Sequence, residues 1–382
     1  MMPHQASERC CSARRNLSRH CREAATPPAG TCPPEGGRHS DQARLQARVH
    51  RCRSLIRSAI LAGFAFAAAL SLPAPARAWG CEGHEVIVLL AEKHLTPHAL
   101  AAVNKILKEY PIDPALNRFC KEGRIDPMSD SSTWADDYRS VHSETSPWHY
   151  IDFAPGTRLA AGRKDLGTVV DKVCDPRESC LPRAAANQLA ILRAPETDPQ
   201  KRANALRFVI HFVGDLHQPL HNSSNNDQGG NCVPVAYFGN LPRLTYSRTE
   251  TYAPTLHGAW DYEILTRATK GMSVDQVAAE LDRSFRKQIS RWQKEPIDFD
   301  GWSWESFELA WNVTYGKLPV QIPVETPQRV NSCADADHVS ARMFILNERI
   351  EQPYQDAALP VVRERLAQSA ARLAMVLNQV WP

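Results

Sequence analysis

Between positions 211 and 221 the chain reads HFVGDLHQPLH. His211 and Asp215 are four residues apart, so on a helix they share one face. Pro219 is expected to end that helix, after which the chain turns to present His221. An imidazole and a carboxylate at this spacing are a zinc-binding arrangement. Three His and one Asp on a buried helix are costly unless they are paired or bound to metal. Hydrogen-bonded core histidines are the plainer alternative. A second i, i+4 pair is His257 and Asp261 in LHGAWDYEIL, a weak pattern by itself. Two single candidates follow tryptophans: Asp136 in STWADDYRS and His149 in SPWHYIDF. The last candidate depends on processing. If the working chain starts at Trp79 in WGCEGH, its free α-amine and its carbonyl oxygen can chelate a metal, with His84 as a further ligand.

The reason to expect a start at Trp79 lies just before it. Ser58 to Leu72 (SAILAGFAFAAALSL) is uncharged and apolar, preceded by Arg51, Arg53 and Arg57 and followed by Ala76-Arg77-Ala78. A basic region, an apolar run and a small-x-small cleavage site make a secretory signal over residues 58–78. The run is short for a membrane span, which needs about 20 residues. Residues 1–57 show no apolar periodicity and read as an unstructured leader; an over-extended gene start is one explanation. Residues 1–78 hold 12 Arg, no Lys, 4 acidic residues and five of the eleven cysteines. The net charge of +3 therefore becomes −5 from Trp79 onward, and the cysteine count an even six. Cys174 and Cys180 bracket a short loop and could pair locally; the other pairings stay open. No C-x-x-C spacing supports a cysteine zinc site. An exported, disulfide-capable protein, secreted or periplasmic, is the expectation.

These side chains must be positioned by helices. Hydrophobic residues at 43% and charged residues at 23% exclude a disordered, collagen-like or multi-span membrane chain. Apolar spacing predicts helices over 84–94, 98–110, 183–195, 202–217, 257–268, 274–292, 302–315 and 355–379. The 202–217 segment is apolar on most sides and should be buried. Residues 233–238 are the best strand candidate. No repeat or linker divides residues 79–382, so the expected fold is all-α: a single large helical domain with long loops around the metal site.

From Trp79 to about Gln379 the chain resembles the zinc-dependent S1/P1 (type I) nuclease family, within a superfamily shared with phospholipases C. The resemblance rests on WGxxGH, WADxxR, WHYID, HFxGDxxQPLH, GGN and LHxxWD in that order. It implies a trinuclear zinc site. Asp136, His149, His211 and Asp215 would hold the first Zn2+, and His221, His257 and Asp261 the second. The amine and carbonyl of Trp79, with His84 and a bridging Asp215, would hold the third. It also implies hydrolysis of single-stranded DNA and RNA to 5′-phosphate products, with 3′-nucleotidase activity. Two metals about 3.5–4 Å apart would activate water and shield the phosphate, and the third would stabilise the departing 3′-oxygen. Asp136 would help orient the attacking oxygen, and Arg139 would neutralise transition-state charge. Tyr150 would stack on a base, with Asp152 and Asn231 as polar contacts. A stacked base must first be unstacked from its neighbours, which favours single strands.

The chain departs from the family between Asn231 and His257, where the segment is longer and carries TYSRTETYAP. Thr255 stands where the family usually has Asn, and Tyr262 replaces a residue that often contacts substrate. Base preference and duplex activity are open on this ground. A zinc phospholipase C on the same fold is the first alternative, although that family ends its second metal pair with Glu where this chain has Asp261. A non-catalytic zinc-binding exported protein is the second. The enzyme is expected to act as a monomer without stable membrane association once the signal is removed.

Overall fold

The computed structural model describes residues 79–116, 120, 127–174, 179–244, 252–326, 330, 332–333 and 348–382. The leader 1–57, the signal segment 58–78 and most of the polar stretch after Leu244 lie outside the described residues.

Helices dominate the described residues. They are α1 (Gly80–Glu92), α2 (Pro97–Glu109), α3 (Pro127–Ser131), α4 (Trp134–Arg139), α5 (Leu166–Val173), α6 (Leu181–Arg193) and α7 (Pro199–Asp215). After α7 come α8 (Leu256–Gly258), α9 (Ile264–Ala268), α10 (Val274–Ser284), α11 (Arg286–Trp292), α12 (Phe299–Leu309) and α13 (Gln352–Val380). Local chemistry sets several starts. Thr96 caps α2 by accepting from the Ala99 N–H, with Pro97 in the first turn. Asp198 caps α7 through the Lys201 N–H, again with a proline following. Ser273 and Gln276 form a reciprocal capping box on α10.

The α7 helix is the axis of the core. Its residues from Ala205 to Asp215 are all buried. It packs on α6, and α1 packs on α13 and α10. One large apolar cluster joins these helices, including Trp79, Ile87, Leu206, Phe212, Trp260, Leu366 and Leu373. The expected 274–292 helix is split at Phe285, but only locally. Phe285 N–H still bonds to Leu281 O, and Ile289 N–H to Phe285 O, at 2.9 and 2.8 Å. The 257–268 segment also deviates. Between α8 and α9 lies a π-turn, Ala259–Glu263, which carries Asp261. A second π-turn, Ala310–Thr314, follows α12. Such widened turns are frequent at functional sites.

The strand expected over 233–238 shrinks to β1 (Ala236–Tyr237), paired in parallel with β4 (Arg349–Ile350). Pro234 has no N–H to give a ladder, and Val235 N–H bonds instead to Pro254 O. The other pair is β2 (Arg243–Leu244) with β3 (Tyr252–Ala253), antiparallel. Three disulfides fasten the loops: Cys81–Cys120, Cys174–Cys180 and Cys232–Cys333. The local pairing of Cys174 with Cys180 is as the spacing led one to expect.

Beside β4, Glu348 is buried and its Oε2 meets no hydrogen-bond partner among the described residues. Burial pushes its carboxyl up to about 7. Because the folded value lies above the unfolded one, stability is fully present below the unfolded pKa and falls as pH rises through 7. Glu348→Gln keeps an oxygen for the Val320 N–H and removes the titration. Thermal unfolding followed against pH should show the wild type losing up to about 1.4 kcal/mol per pH unit relative to the variant between those two values. Parallel profiles would show that Glu348 does not titrate there.

Candidate metal centre

The buried end of α7 collects the candidates. His211 points Nε2 inward because its Nδ1–H donates to the Ser132 carbonyl at 2.7 Å. Its Nε2 lies 3.1 Å from Asp215 Oδ2 on the same helix face. His149 brings Nδ1 to 3.1 Å from the same oxygen and 3.1 Å from His211 Nε2. Asp136, on α4, has Oδ1 3.8 Å from His149 Nδ1 and 4.0 Å from His211 Nε2. On the other side of Asp215, His84 of α1 places Nε2 3.5 Å from Oδ1. Its ring stacks on His211, with centroids 4.3 Å apart. Asp215 thus serves two groups with its two oxygens.

The second region is built from loops. After α7 the chain makes a short 3-10 turn, Pro219–Asn222, which presents His221. His221 Nδ1–H donates to the His149 carbonyl at 2.6 Å, and His257 Nδ1–H to the Gly229 carbonyl at 2.7 Å. These bonds fix both tautomers, so both Nε2 atoms carry lone pairs. They face each other at 3.2 Å. Asp261 Oδ2 closes the group 3.1 Å from His257 Nε2. Two lone pairs at that distance, beside a carboxylate, can hold a proton or a metal ion between them.

Three buried sets therefore offer atoms close enough to hold a metal ion: His84 with His211 and Asp215; Asp136 with His149 and His211; His221 with His257 and Asp261. His84 Nε2, Asp136 Oδ2, Asp215 Oδ1 and Asp261 Oδ2 have no hydrogen-bond partner among the described residues. Leaving one buried polar group unsatisfied costs about 1–3 kcal/mol. Four such atoms, spread over the three groups, fit bound cations. The donor set, His with carboxylate, is also the set for a hydrolytic divalent metal.

Protonation agrees with that role. Burial lowers His84 and His221, and takes His149 down to about 4, so these rings are neutral at pH 7. For Asp136 burial acts upward, but Arg139 and the neighbouring imidazoles outweigh it and hold the carboxyl at about 2. For His211 burial acts downward, and the Asp215 and Asp136 carboxylates override it to about 9. A metal there displaces a proton.

The remaining candidates lie close in sequence to these groups. Arg139 Nη2 is 3.1 Å from Asp136 Oδ1, three residues away on α4. Tyr150 is 41% exposed, immediately after His149. Asp152 is also solvent-exposed. The protein packed around it, then the Asp227 carboxylate, push its carboxyl up to about 6. Asn231 donates Nδ2–H to Gln228 O at 2.9 Å, and its Oδ1 has no hydrogen-bond partner among the described residues. Trp79 is fully buried, with its backbone N 3.3 Å from Asp261 Oδ1 and its indole N–H bonded to Gly214 O.

The model for the family described as S1/P1 Nuclease matches residues 79–382. The chain belongs to the S1/P1 nuclease family. It is similar to Endonuclease 2 of Arabidopsis thaliana, 27% identical over 319 residues that cover 79% of this chain and 90% of the relative. Nuclease S1 of Aspergillus oryzae (strain ATCC 42149 / RIB 40) is 24% identical, covering 82% and 96%. Nuclease P1 of Penicillium citrinum is 28% identical over a shorter stretch, 46% of this chain and 58% of the relative. As an S1/P1 nuclease the chain is a phosphodiester hydrolase.

Several supports of this candidate centre are not evident from residue spacing. His217, the third histidine of HFVGDLHQPLH, turns away from the centre. Its Nδ1–H bonds to Val213 O and its Nε2 accepts from Arg372 at 3.0 Å. For this one residue the core-histidine reading holds. The C-terminal carbonyls of α7 and its exit are taken by distant side chains. Ser369 bonds to Val213 O, Ser306 to Leu216 O, Arg365 to His217 O, and Asn222 to Gln218 O. Gly214 lies directly under the His84 ring. Gly229 sits at φ +61°, and a Cβ there would meet Leu220 O at 2.3 Å. Only glycine therefore delivers the carbonyl that orients His257. The glycines of the GD and GGN motifs were visible signals; the distant caps left none.

Proposed function

We propose that the mature chain is an exported zinc nuclease that cleaves single-stranded DNA and RNA to 5′-phosphate products and removes the phosphate of 3′-nucleotides. The observation that carries this reading is the juxtaposition of three buried His/Asp groups with the exposed ring of Tyr150. Asp136, His149, His211 and Asp215 would hold one zinc, and His221, His257 and Asp261 another. His84, Asp215 and the amine and carbonyl of Trp79 would hold the third. When bound, zinc supplies Lewis acidity and lowers the pKa of water.

The chain's own residues do the rest. Tyr150 offers a face for a base, worth about 1–3 kcal/mol and open only to unstacked nucleotides. Asp152 and Asn231 would supply polar contacts to that base. Arg139, partly exposed and paired with Asp136, offers its guanidinium to a phosphate oxygen. Asp136 Oδ2, without a hydrogen-bond partner, is left to orient attacking water. Residues 79–382 sum to −5, so attraction for nucleic acid must be local to the centre rather than spread over a basic surface. Three disulfides suit an oxidising compartment. Among the described residues no helix is long and apolar enough to cross a membrane. Every ligand comes from one chain, so a monomer suffices.

The test compares protein starting at Trp79 with protein carrying one extra Met before it. Single-stranded DNA, duplex DNA and phosphatidylcholine are the substrates, with metal content measured in parallel. We expect rapid cleavage of single strands, slower cleavage of duplex and no lipid hydrolysis. The extended form should hold one zinc fewer and work at least about tenfold more slowly. Hydrolysis confined to lipid would overturn the substrate, and equal zinc content in both forms would remove the amine ligand.

A further inference from the structure

The two oxygens of Asp261 meet different surroundings, and one of them is held by a buried amide outside the three groups. Oδ2 has no hydrogen-bond partner and faces His257 Nε2 at 3.1 Å. Oδ1 accepts from Gln218 Nε2 and from the Trp79 backbone N–H. Gln218 is fully buried in the turn between α7 and His221. Its orientation is fixed by chemistry. The Leu220 N–H points at one end of the amide and can only donate, so that end is Oε1. The end that meets Asp261 is therefore the NH2.

We propose that Gln218 is a positioning residue that restricts Asp261 to one-oxygen coordination of the metal held with His221 and His257. This rests on the metal-centre reading above. A free carboxylate can rotate about its Cα-bound arm or chelate with both oxygens. A donor held on Oδ1 occupies that oxygen's lone pair, fixes the carboxylate plane and leaves Oδ2 for the ion. Outer partners of this kind orient ligands and commonly govern metal affinity by 10–100-fold. Trp79 cannot substitute fully, because its nitrogen becomes a chain terminus with a ligand role of its own. Gln218 also belongs to the same exit turn as Asp215 and His221, so it ties the carboxylate of the π-turn to the helix carrying the other groups.

Two variants separate the donor from the shape. Gln218→Glu keeps the length and the acceptor for Leu220 N–H, but turns a second carboxylate oxygen toward Asp261 Oδ1. Gln218→Met keeps the approximate volume and removes both polar ends. Zinc is titrated against a competing chelator in the intact protein, and thermal unfolding is followed in the zinc-free form. The expected result is one of three zincs weakened by roughly 10–100-fold in both variants, more in Gln218→Glu, with the other two unchanged. Zinc-free Gln218→Met should unfold near the wild type. Unchanged affinity at all three positions in either folded variant overturns the proposal. So does equal weakening of all three together with a lower unfolding midpoint, which is the mark of a merely structural residue. A wild type that binds no zinc overturns the metal-centre reading itself, and this proposal with it.

Discussion

Asp215→Asn should strip metal from two of the three groups at once and lower phosphodiester hydrolysis by at least about 10²–10³-fold, the loss typical of removing one stabiliser of transition-state charge. The substitution keeps the shape and removes the charge. Asp215 is fully buried. Its Oδ2 lies 3.1 Å from both His149 and His211, and its Oδ1 3.5 Å from His84. His211 is shared between the same two groups, but Asp215 is the shared residue that brings negative charge. Its carboxyl is held well below the usual range, because the adjacent imidazoles outweigh the opposing effect of burial. An amide in its place is a weaker ligand, and its NH2 would point a donor at a metal. The measurement is zinc per chain together with turnover on single-stranded DNA. Three zincs retained, or more than a tenth of the wild-type rate, would rule out the shared carboxylate.

The second large effect needs only one methyl group. In Gly214→Ala the new Cβ would stand 2.6 Å from His84 Cε1 and 2.8 Å from its Nδ1. The ring cannot yield sideways, because it is buried and stacked on His211. Either His84 leaves its place or α1 moves off α7. The Trp79 indole, bonded to Gly214 O, is disturbed by the second route. The His84 group should therefore lose its metal while the His221–His257–Asp261 group keeps its own. Overpacking of a dense core adds about 1–3 kcal/mol of destabilisation. Two zincs per chain, with activity down by about 100-fold, is the expected outcome. Full zinc content and an unchanged rate would show that α1 accommodates the methyl.

The helices and the residues of the three buried groups were legible because both leave periodic signals. Leu206, Val209, Ile210 and Val213 mark α7 as buried, and His211 with Asp215 mark its inner face. The pair His257 and Asp261 was found by the same spacing, although a π-turn rather than a plain α-helix carries Asp261. What stayed hidden depends on contacts across long stretches of chain. Nothing near His217 tells it apart from His211 and His221; only Arg372, more than a hundred residues on, does. The carbonyls of Ser132, His149 and Gly229 that orient the rings are backbone atoms and have no sequence signature. Cys174–Cys180 could be proposed because its loop is short, whereas Cys232–Cys333 spans 101 residues. The strand over 233–238 was overcalled because its β-branched residues outweighed Pro234.

The side chains that hold the end of α7 bear on when the centre can exist at all. Ser306 comes from α12, and Arg365 and Ser369 come from α13, which ends two residues before the last residue of the chain. Until those residues have left the ribosome, the carbonyls around Asp215 have no such partners, and Cys333 is late as well. Contacts of this sequence separation form slowly and only after long loops close. A chain made only as far as Asp261 thus carries every residue of the three groups without the frame that converges them. The hydrolytic chemistry of this chain is deferred until α12 and α13 have been made.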